Sequence, residues 1–177
     1  MPFGIEAIDE RLPEGGLSFG ALHEVAGGGN GAIDGAAAAL FAAGIAARTR
    51  GRVLWCVTRQ DLFAPALAQA GLAADLVICV EAGDEKAVLA CFEEGLRCCK
   101  LGAVVAEVAH LSMTASRRLQ LAAEGSGVIG LALRRASRPM PLSSGSRQRR
   151  RRVGASACYP PHLSRCLVSV ALAGGWN

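Results

Sequence analysis

The first residues that could do chemistry form a glycine-rich loop. Gly27-Gly28-Gly29-Asn30-Gly31 stands between a short apolar stretch and an Ala-rich one. A phosphate-binding loop there would need G-x-x-x-x-G-K-[ST], because glycine N–H groups surround phosphate oxygens, lysine neutralises charge and the hydroxyl binds Mg²⁺. Counting from Gly27, those last three positions hold Ala32, Ile33 and Asp34. The loop therefore has the glycines of a phosphate site without its charged partners.

No lysine can complete this loop in any register, since the chain has only Lys86 and Lys100. Asp34 at a helix start would repel a triphosphate, because a carboxylate already occupies the positive end of the helix dipole. We therefore expect no cofactor, no tight ATP binding and no hydrolysis. The residues that would touch a nucleotide, if one bound, are Gly27, Gly28, Gly29 and Gly31. The alternative is that these glycines only turn the chain tightly between a strand and a helix.

The thiols and imidazoles do not suggest a metal site. The seven cysteines include no C-x-x-C, and the three histidines are far from them in sequence, so we predict neither zinc nor a disulfide. Cys56 and Cys79 lie in apolar runs, which predicts small reduced core residues. His23 lies inside a predicted strand, and we expect it to be hydrogen-bonded there rather than to be a ligand.

These residues must be positioned by an alternation of strands and helices. The predicted strands are Ala21–Val25, Arg52–Val57, Leu76–Val80, Ala103–Val108 and Val128–Leu133. The predicted helices run from Asp34 to about Arg48, over Leu62–Ala70, from Asp84, and from Ser112 or Thr114. This rhythm implies right-handed crossovers, a mainly parallel sheet and an α/β fold. Ligands would then lie at the carboxyl ends of the strands, where residues 27–31, 58–61 and 109–113 form loops.

Length and composition are consistent with one soluble domain plus a tail. The 177 residues are 51% hydrophobic but only 5% aromatic, so the core must consist of small aliphatic side chains. The sequence contains neither an apolar run long enough to cross a bilayer nor a secretory signal pattern. We expect a cytoplasmic protein that does not contact membranes.

Charge divides the chain into two regions. Residues 1–124 hold ten basic and fifteen acidic residues, net −5, whereas residues 125–177 hold nine arginines and no acid, net +9. We place a core domain at 1–138 and a basic tail at 139–177. The tail's candidate nucleic-acid contacts are Arg147, Arg149, Arg150, Arg151 and Arg152. They would give weak, sequence-indifferent DNA binding through counterion release, while the core, net −3 over residues 1–135, would bind DNA poorly alone.

Several stretches resemble known proteins. The lead-in to the glycine loop resembles that of RecA-like ATPases in Gly4-Ile5, Ile8-Asp9, Leu12, Gly15-Gly16-Leu17, Gly20 and Glu24-Val25-Ala26-Gly27. Five further stretches resemble the ImuA (inducible mutagenesis protein A) family: 34–44, 53–72, 93–98, 104–108 and 111–135. The string TASRRLQLAAE at 114–124 is the most specific, because general helix physics does not demand it.

The resemblance implies a RecA-like three-layer sandwich with helices on both faces of the sheet. It also implies a non-catalytic accessory role in the SOS response to DNA damage, in mutagenic translesion synthesis. The expected partners are an inactive Y-family polymerase homologue, an error-prone DNA polymerase and RecA. The alternative is a RecA-like ATP-binding protein or ATPase with an altered phosphate loop.

Two positions bear on that alternative. Where a RecA-like ATPase places an activating glutamate after its second strand, this chain has Thr58-Arg59-Gln60, and Arg59 stays protonated and cannot be a base. Glu107 lies near the expected position of an Mg²⁺-ordering aspartate. Without the lysine and hydroxyl, we interpret Glu107 as a strand-end carboxylate, so no catalytic or metal-binding residue is predicted.

One helix offers a candidate partner surface. Arg117, Arg118, Leu119 and Leu121 combine guanidinium and apolar groups, which suit a partner's carboxylates or DNA phosphates. The alternative is an ordinary solvated helix face. The tail from Pro141 does not match the family's C-terminal region. It is a nucleic-acid arm, a divergent partner-binding segment or, as we prefer, the product of a shifted reading frame in a GC-rich gene.

Overall fold

The computed structural model describes residues 1–28, 31–59, 61–134 and 167–170. In this part of the chain the strands are β1 (Leu22–Gly27), β2 (Arg52–Val57), β3 (Val77–Glu81), β4 (Leu101–Val108), β5 (Ile129–Arg134) and β6 (Leu167–Val170). The helices are α1 (Glu6–Asp9), α2 (Ala32–Ala47), α3 (Ala64–Gln69), α4 (Glu85–Leu96) and α5 (Met113–Ser126). The five strands predicted up to Leu133 are confirmed, each with its ends within two residues of the expected positions.

The six strands form one sheet in the order β3-β2-β4-β5-β1-β6, and every neighbouring pair is parallel. Val105 of β4 lies at the centre of the register, beside Trp55 on β2 and Leu131 on β5. The predicted parallel α/β fold is confirmed.

Helices cover both faces of the sheet. On one face α2 and α3 bury a cluster that includes Ile45 and Leu67, with Trp55 from the sheet below. On the other face α4 and α5 bury Phe92 and Leu119. The α2 face relies on four fully or nearly fully buried alanines, Ala38, Ala42, Ala43 and Ala46. Their small side chains let the helix lie close to the sheet, as the aromatic-poor composition predicts.

The prediction for the two strand cysteines holds for one of them. Cys56 on β2 is completely buried, and burial raises the pKa of its thiol to about 12. Cys79 on β3 is exposed, so its prediction as a core residue is wrong. The reason is the position of β3 at the edge of the sheet, where it pairs with β2 alone among the described strands. An apolar run does not tell a central strand from an edge strand.

The predicted tail lies largely outside the described residues. Arg147, Arg149, Arg150, Arg151 and Arg152 are all outside them, as is the boundary predicted at residue 138. Within the tail's predicted span, β6 pairs with β1 at the end of the sheet. In the described ranges, no helix is long and apolar enough to cross a membrane.

Candidate functional site

The carboxyl ends of the strands carry the loops expected to form a ligand site. Strands β2 and β4 are neighbours, but α3 leaves β2 on one face of the sheet while α5 leaves β4 on the other. Connections that diverge in this way open a crevice at the sheet edge. The glycine loop after β1 lies at the same edge, two strands away from β4.

The glycine loop begins with a close backbone approach. A β-carbon at Gly27 would lie 2.6 Å from the carbonyl oxygen of Asp34 and 2.8 Å from its β-carbon. Glycine is therefore required for β1 to meet the first turn of α2. Gly28 is exposed, whereas the predicted contact Gly29 lies outside the described residues. This finding supports the turn-forming interpretation of Gly27.

The predicted start of α2 at Asp34 is wrong by two residues. The helix begins at Ala32, with Gly31 in an extended conformation as the N-cap, so Asp34 is the third helical residue. Its Oδ2 atom accepts a hydrogen bond of 3.0 Å from the Gly31 N–H. This is the carboxylate half of a capping box, which needs a side chain at that third position. The sequence prediction overlooked that a glycine can serve as the N-cap.

The Asp34 contact places a carboxylate where a nucleotide phosphate would bind. Phosphates bind at helix N-termini through free N–H groups and the positive end of the dipole. Here the Gly31 N–H is already bound to Asp34, and the Asp34 charge acts on the same dipole. The chain supplies its own anion at this helix end.

Glu107 on β4 is buried rather than exposed at a catalytic edge. Its Oε1 atom accepts a hydrogen bond of 3.3 Å from the indole Nε1 of Trp55. Sequence reasoning placed Glu107 correctly near the strand end but did not identify Trp55 as its partner. The available signal was that a buried tryptophan needs an acceptor for its N–H group. Where the chain is described, no group of three or more potential ligands could hold a metal ion.

The loop after β4 is fixed by a carboxylate that sequence reasoning missed. Glu85, at the start of α4, accepts hydrogen bonds from the backbone N–H groups of Ala109 and His110, at 2.8 and 3.0 Å. Arg59, at the end of β2, is exposed. At this edge of the sheet, the Glu85 side chain therefore fixes the loop after β4. The cation Arg59 stands near the position where a RecA-like ATPase has its activating glutamate.

On α5, the four predicted partner-binding residues have different environments. Leu119 is 2% exposed and belongs to the core, so it is not part of a surface. Arg118 donates to Glu93 on α4, which also accepts from Arg97 at 2.6 Å. Arg117 is exposed, and Leu121 is 58% exposed. Helical spacing turns Leu119 towards the sheet and Leu121 away from it.

His23 is a hydrogen-bonded, buried residue of β1, as predicted. Its Nε2 atom lies 2.9 Å from the carbonyl oxygen of Ser18 and donates to it, whereas Nδ1 is buried without a hydrogen-bond partner. Burial is the main cause of a lowered pKa for His23, against a smaller opposing effect of the Ser18 carbonyl. The folded protein therefore holds the imidazole neutral at a pH where the unfolded chain would protonate it.

Stability should accordingly fall as the pH drops below about 6.5, the usual histidine pKa. The unfolded state binds this proton first, so the loss approaches ~1.4 kcal/mol per pH unit until the lowered pKa is reached. Urea unfolding between pH 7.5 and 5.5 should show the slope in the wild-type chain and in His110→Gln, whose imidazole is exposed. His23→Asn should reduce it. Equal slopes in all three proteins would contradict the assignment.

No family model matches the chain. The chain is 40% identical over 153 residues to Protein ImuA from two strains of Caulobacter vibrioides, a match that covers 84% of this chain. The chain is thus similar to ImuA over most of its own length. It spans 62% of the length of these ImuA relatives. Among solved structures, SulA from Pseudomonas aeruginosa is similar at 26% identity and a TM-score of 0.47, covering 56% of this chain and 88% of SulA.

The string at 114–124, the most specific part of the resemblance to ImuA, forms most of α5. Gln120 within it uses its side-chain oxygen to accept a 2.8 Å hydrogen bond from the Leu22 N–H, and so joins α5 to β1. Its amide nitrogen donates to Glu124, one turn later, at 2.8 Å. Part of this ImuA string therefore connects α5 to the strand that leads into the glycine loop.

Proposed function

We propose that this chain is a non-catalytic, RecA-like accessory protein of SOS-induced mutagenic translesion DNA synthesis, working in the cytoplasm. It acts by contacts with an inactive Y-family polymerase homologue, and its further partners are an error-prone DNA polymerase and RecA. The similarity to ImuA supports the role in mutagenesis. The observation that supports contact rather than turnover is the Asp34 carboxylate on the Gly31 N–H.

The Asp34 contact counts against nucleotide turnover for two reasons. A triphosphate entering the loop would have to displace the carboxylate or lie beside it, and like charges repel each other. If the Asp34 carboxylate were displaced, the loop would still lack a lysine. Lys86 lies on α4, and Lys100 precedes β4 at the edge of the sheet opposite the glycine loop. ATP would lose the electrostatic contribution that phosphate loops rely on.

The surface that we assign to the polymerase homologue is the outer face of α5. Leu121 provides an exposed apolar anchor, and Arg117 provides a guanidinium four residues earlier on the same face. Arg118 is more than half exposed, although it contacts Glu93, so its orientation is set before a partner arrives. An arginine of fixed orientation beside an exposed apolar group is typical of the residues that dominate binding energies.

The test is the affinity of the full chain for the purified polymerase homologue, measured by calorimetry with and without ATP and Mg²⁺. We expect the same dissociation constant in both conditions, and a loss of about tenfold or more for the double substitution Arg117→Ala and Leu121→Asp. Ile5→Asp is the matched control, because Ile5 is 54% exposed and lies before α1. This control should bind as the wild type does.

Two results would contradict the proposal. Micromolar ATP binding with hydrolysis stimulated by single-stranded DNA would favour the alternative, an ATPase with an altered phosphate loop. Equal affinities of the α5 variant and the Ile5→Asp control would remove α5 from the interface.

A further inference from the structure

The edge of the sheet opposite the glycine loop gathers four exposed cations. They come from the end of α2, the turn into β2 and the residue before β4. We call this group the amino-edge patch, and its members are Arg48, Arg50, Arg52 and Lys100. None of the predicted site residues belongs to it.

Two glycines hold the parts of the amino-edge patch together. A β-carbon at Gly102 would lie 2.6 Å from the carbonyl oxygen of Arg50, so only glycine allows the start of β4 to lie against this turn. Gly51 has a φ of +114° and lies against Lys100, whose carbonyl oxygen would be 3.4 Å from an added β-carbon. The turn is further fixed by the Thr49 hydroxyl, which donates to Ala46 at 2.7 Å. The cations are thus carried on a fixed backbone.

The amino-edge patch has no internal counter-charge. None of its four side chains forms an ion pair with a described residue, whereas Arg97, Arg118 and Arg134 all do. The acidic residue nearest to the patch, judged from the pairing of β2 with β3, is Asp75 in the turn before β3. Residues 1–134 contain eleven Lys and Arg against fifteen Asp and Glu, net −4, so over a third of these cations occupy one edge of an acidic body. The cations of the patch repel one another, and an anionic partner would relieve this repulsion.

We infer that the amino-edge patch binds the phosphate backbone of a nucleic acid strand. Between its cations the surface is formed by Thr49 and Gly51, without an exposed large apolar side chain in the turn. Protein interfaces rely on aromatic and aliphatic anchors, whereas backbone binding needs charge neutralisation and close approach. This surface therefore fits phosphates better than an acidic peptide. The inference goes beyond the proposed function, since it involves neither the glycine loop nor the outer face of α5.

This inference departs from the expectation that the acidic core binds DNA poorly. Net charge is a weak guide at physiological salt, because the Debye length is about 8 Å and screens carboxylates on distant surfaces. A nucleic acid strand bound at this edge of the sheet would interact mainly with the charges of the amino-edge patch. Local charge then matters more than the sum over the domain.

The test uses the full chain and a fluorescein-labelled oligothymidylate, with anisotropy read over a range of salt concentrations. Substituting Arg50, Arg52 and Lys100 together by Gln should weaken binding about tenfold or more. Each lost phosphate contact should also reduce the log–log salt slope by about 0.7, so the slope should fall by about 2. The matched control replaces Arg11, Arg59 and Lys86 by Gln, which removes the same residue types and the same charge from exposed positions elsewhere.

Three outcomes would overturn the inference. Equal weakening in the control would mean that only net charge matters. Loss of binding on replacing Arg149–Arg152 by Gln, with no effect of the patch substitution, would locate the contact in the tail. Unlabelled polyglutamate that competes as well as unlabelled oligothymidylate would point to an acidic peptide. Thermal unfolding of each variant verifies that its fold is intact.

Discussion

Replacing Trp55 by alanine should lower the free energy of unfolding by ~3–5 kcal/mol. Trp55 on β2 is completely buried in the cluster that α2 and α3 cover, and it is the largest residue there. Its loss leaves a cavity and also removes the indole donor from the buried Glu107 carboxylate. Since domains are stable by roughly 5–15 kcal/mol in all, we expect a markedly reduced urea midpoint followed by circular dichroism.

Two further variants separate the causes. Trp55→Phe keeps an aromatic ring and loses the N–H, so it should cost ~1–3 kcal/mol, the usual cost of withdrawing a partner from a buried polar group. Phe63→Ala truncates an aromatic side chain that is 68% exposed and should cost less than ~0.5 kcal/mol. If Trp55→Ala costs no more than Phe63→Ala, the described core is wrong.

Gly27→Val should be the most damaging single substitution in the glycine loop. Even one β-carbon there would lie 2.6 Å from a backbone oxygen, and backbone cannot move aside as a flexible side chain can. Valine adds two methyl groups to that clash, so we expect a loss of about 3 kcal/mol, at the upper end of the usual range for overpacking. Thermal unfolding measures it directly.

Gly35→Ala is the matched control, eight residues later in the first half of α2. A β-carbon at Gly35 meets nothing within 4 Å, and alanine is the better helix former by ~0.5–1 kcal/mol. This variant should therefore be slightly more stable than the wild type. A similar loss in both variants would mean that the close approach of β1 to α2 does not exist.

The sequence was sufficient to locate the strands, because buried parallel strands are continuous apolar runs bounded by turns and helix caps. One helix was predicted to begin at Asp84 and another at Ser112 or Thr114; Asp84 and Ser112 are the N-caps, and each accepts a hydrogen bond from a helical N–H. The glycine loop was recognised from residue types alone. Its missing lysine was evident because a count of the lysines leaves no candidate.

The order of strands and the side-chain partners could not be obtained in this way. Cys79 lies in the same kind of apolar run as Cys56, yet its strand is at the edge, and only tertiary pairing decides that. Leu119 and Leu121 are chemically alike and differ only in direction from α5. The hydrogen bond between Trp55 and Glu107 joins residues 52 positions apart, which local patterns do not relate.

The position of β1 in the sheet has a consequence for the synthesis of the chain. Leu22 of β1 pairs with Gly130 of β5. The strands that lie between them in sequence, β2, β3 and β4, pair with one another and are all synthesised before β5. During translation β1 leaves the ribosome early, but more than 100 further residues must be synthesised before it can pair with β5. Closing so large a loop is slow, because entropy is lost before the contacts are gained. The strand that carries the glycine loop is therefore made first and paired late.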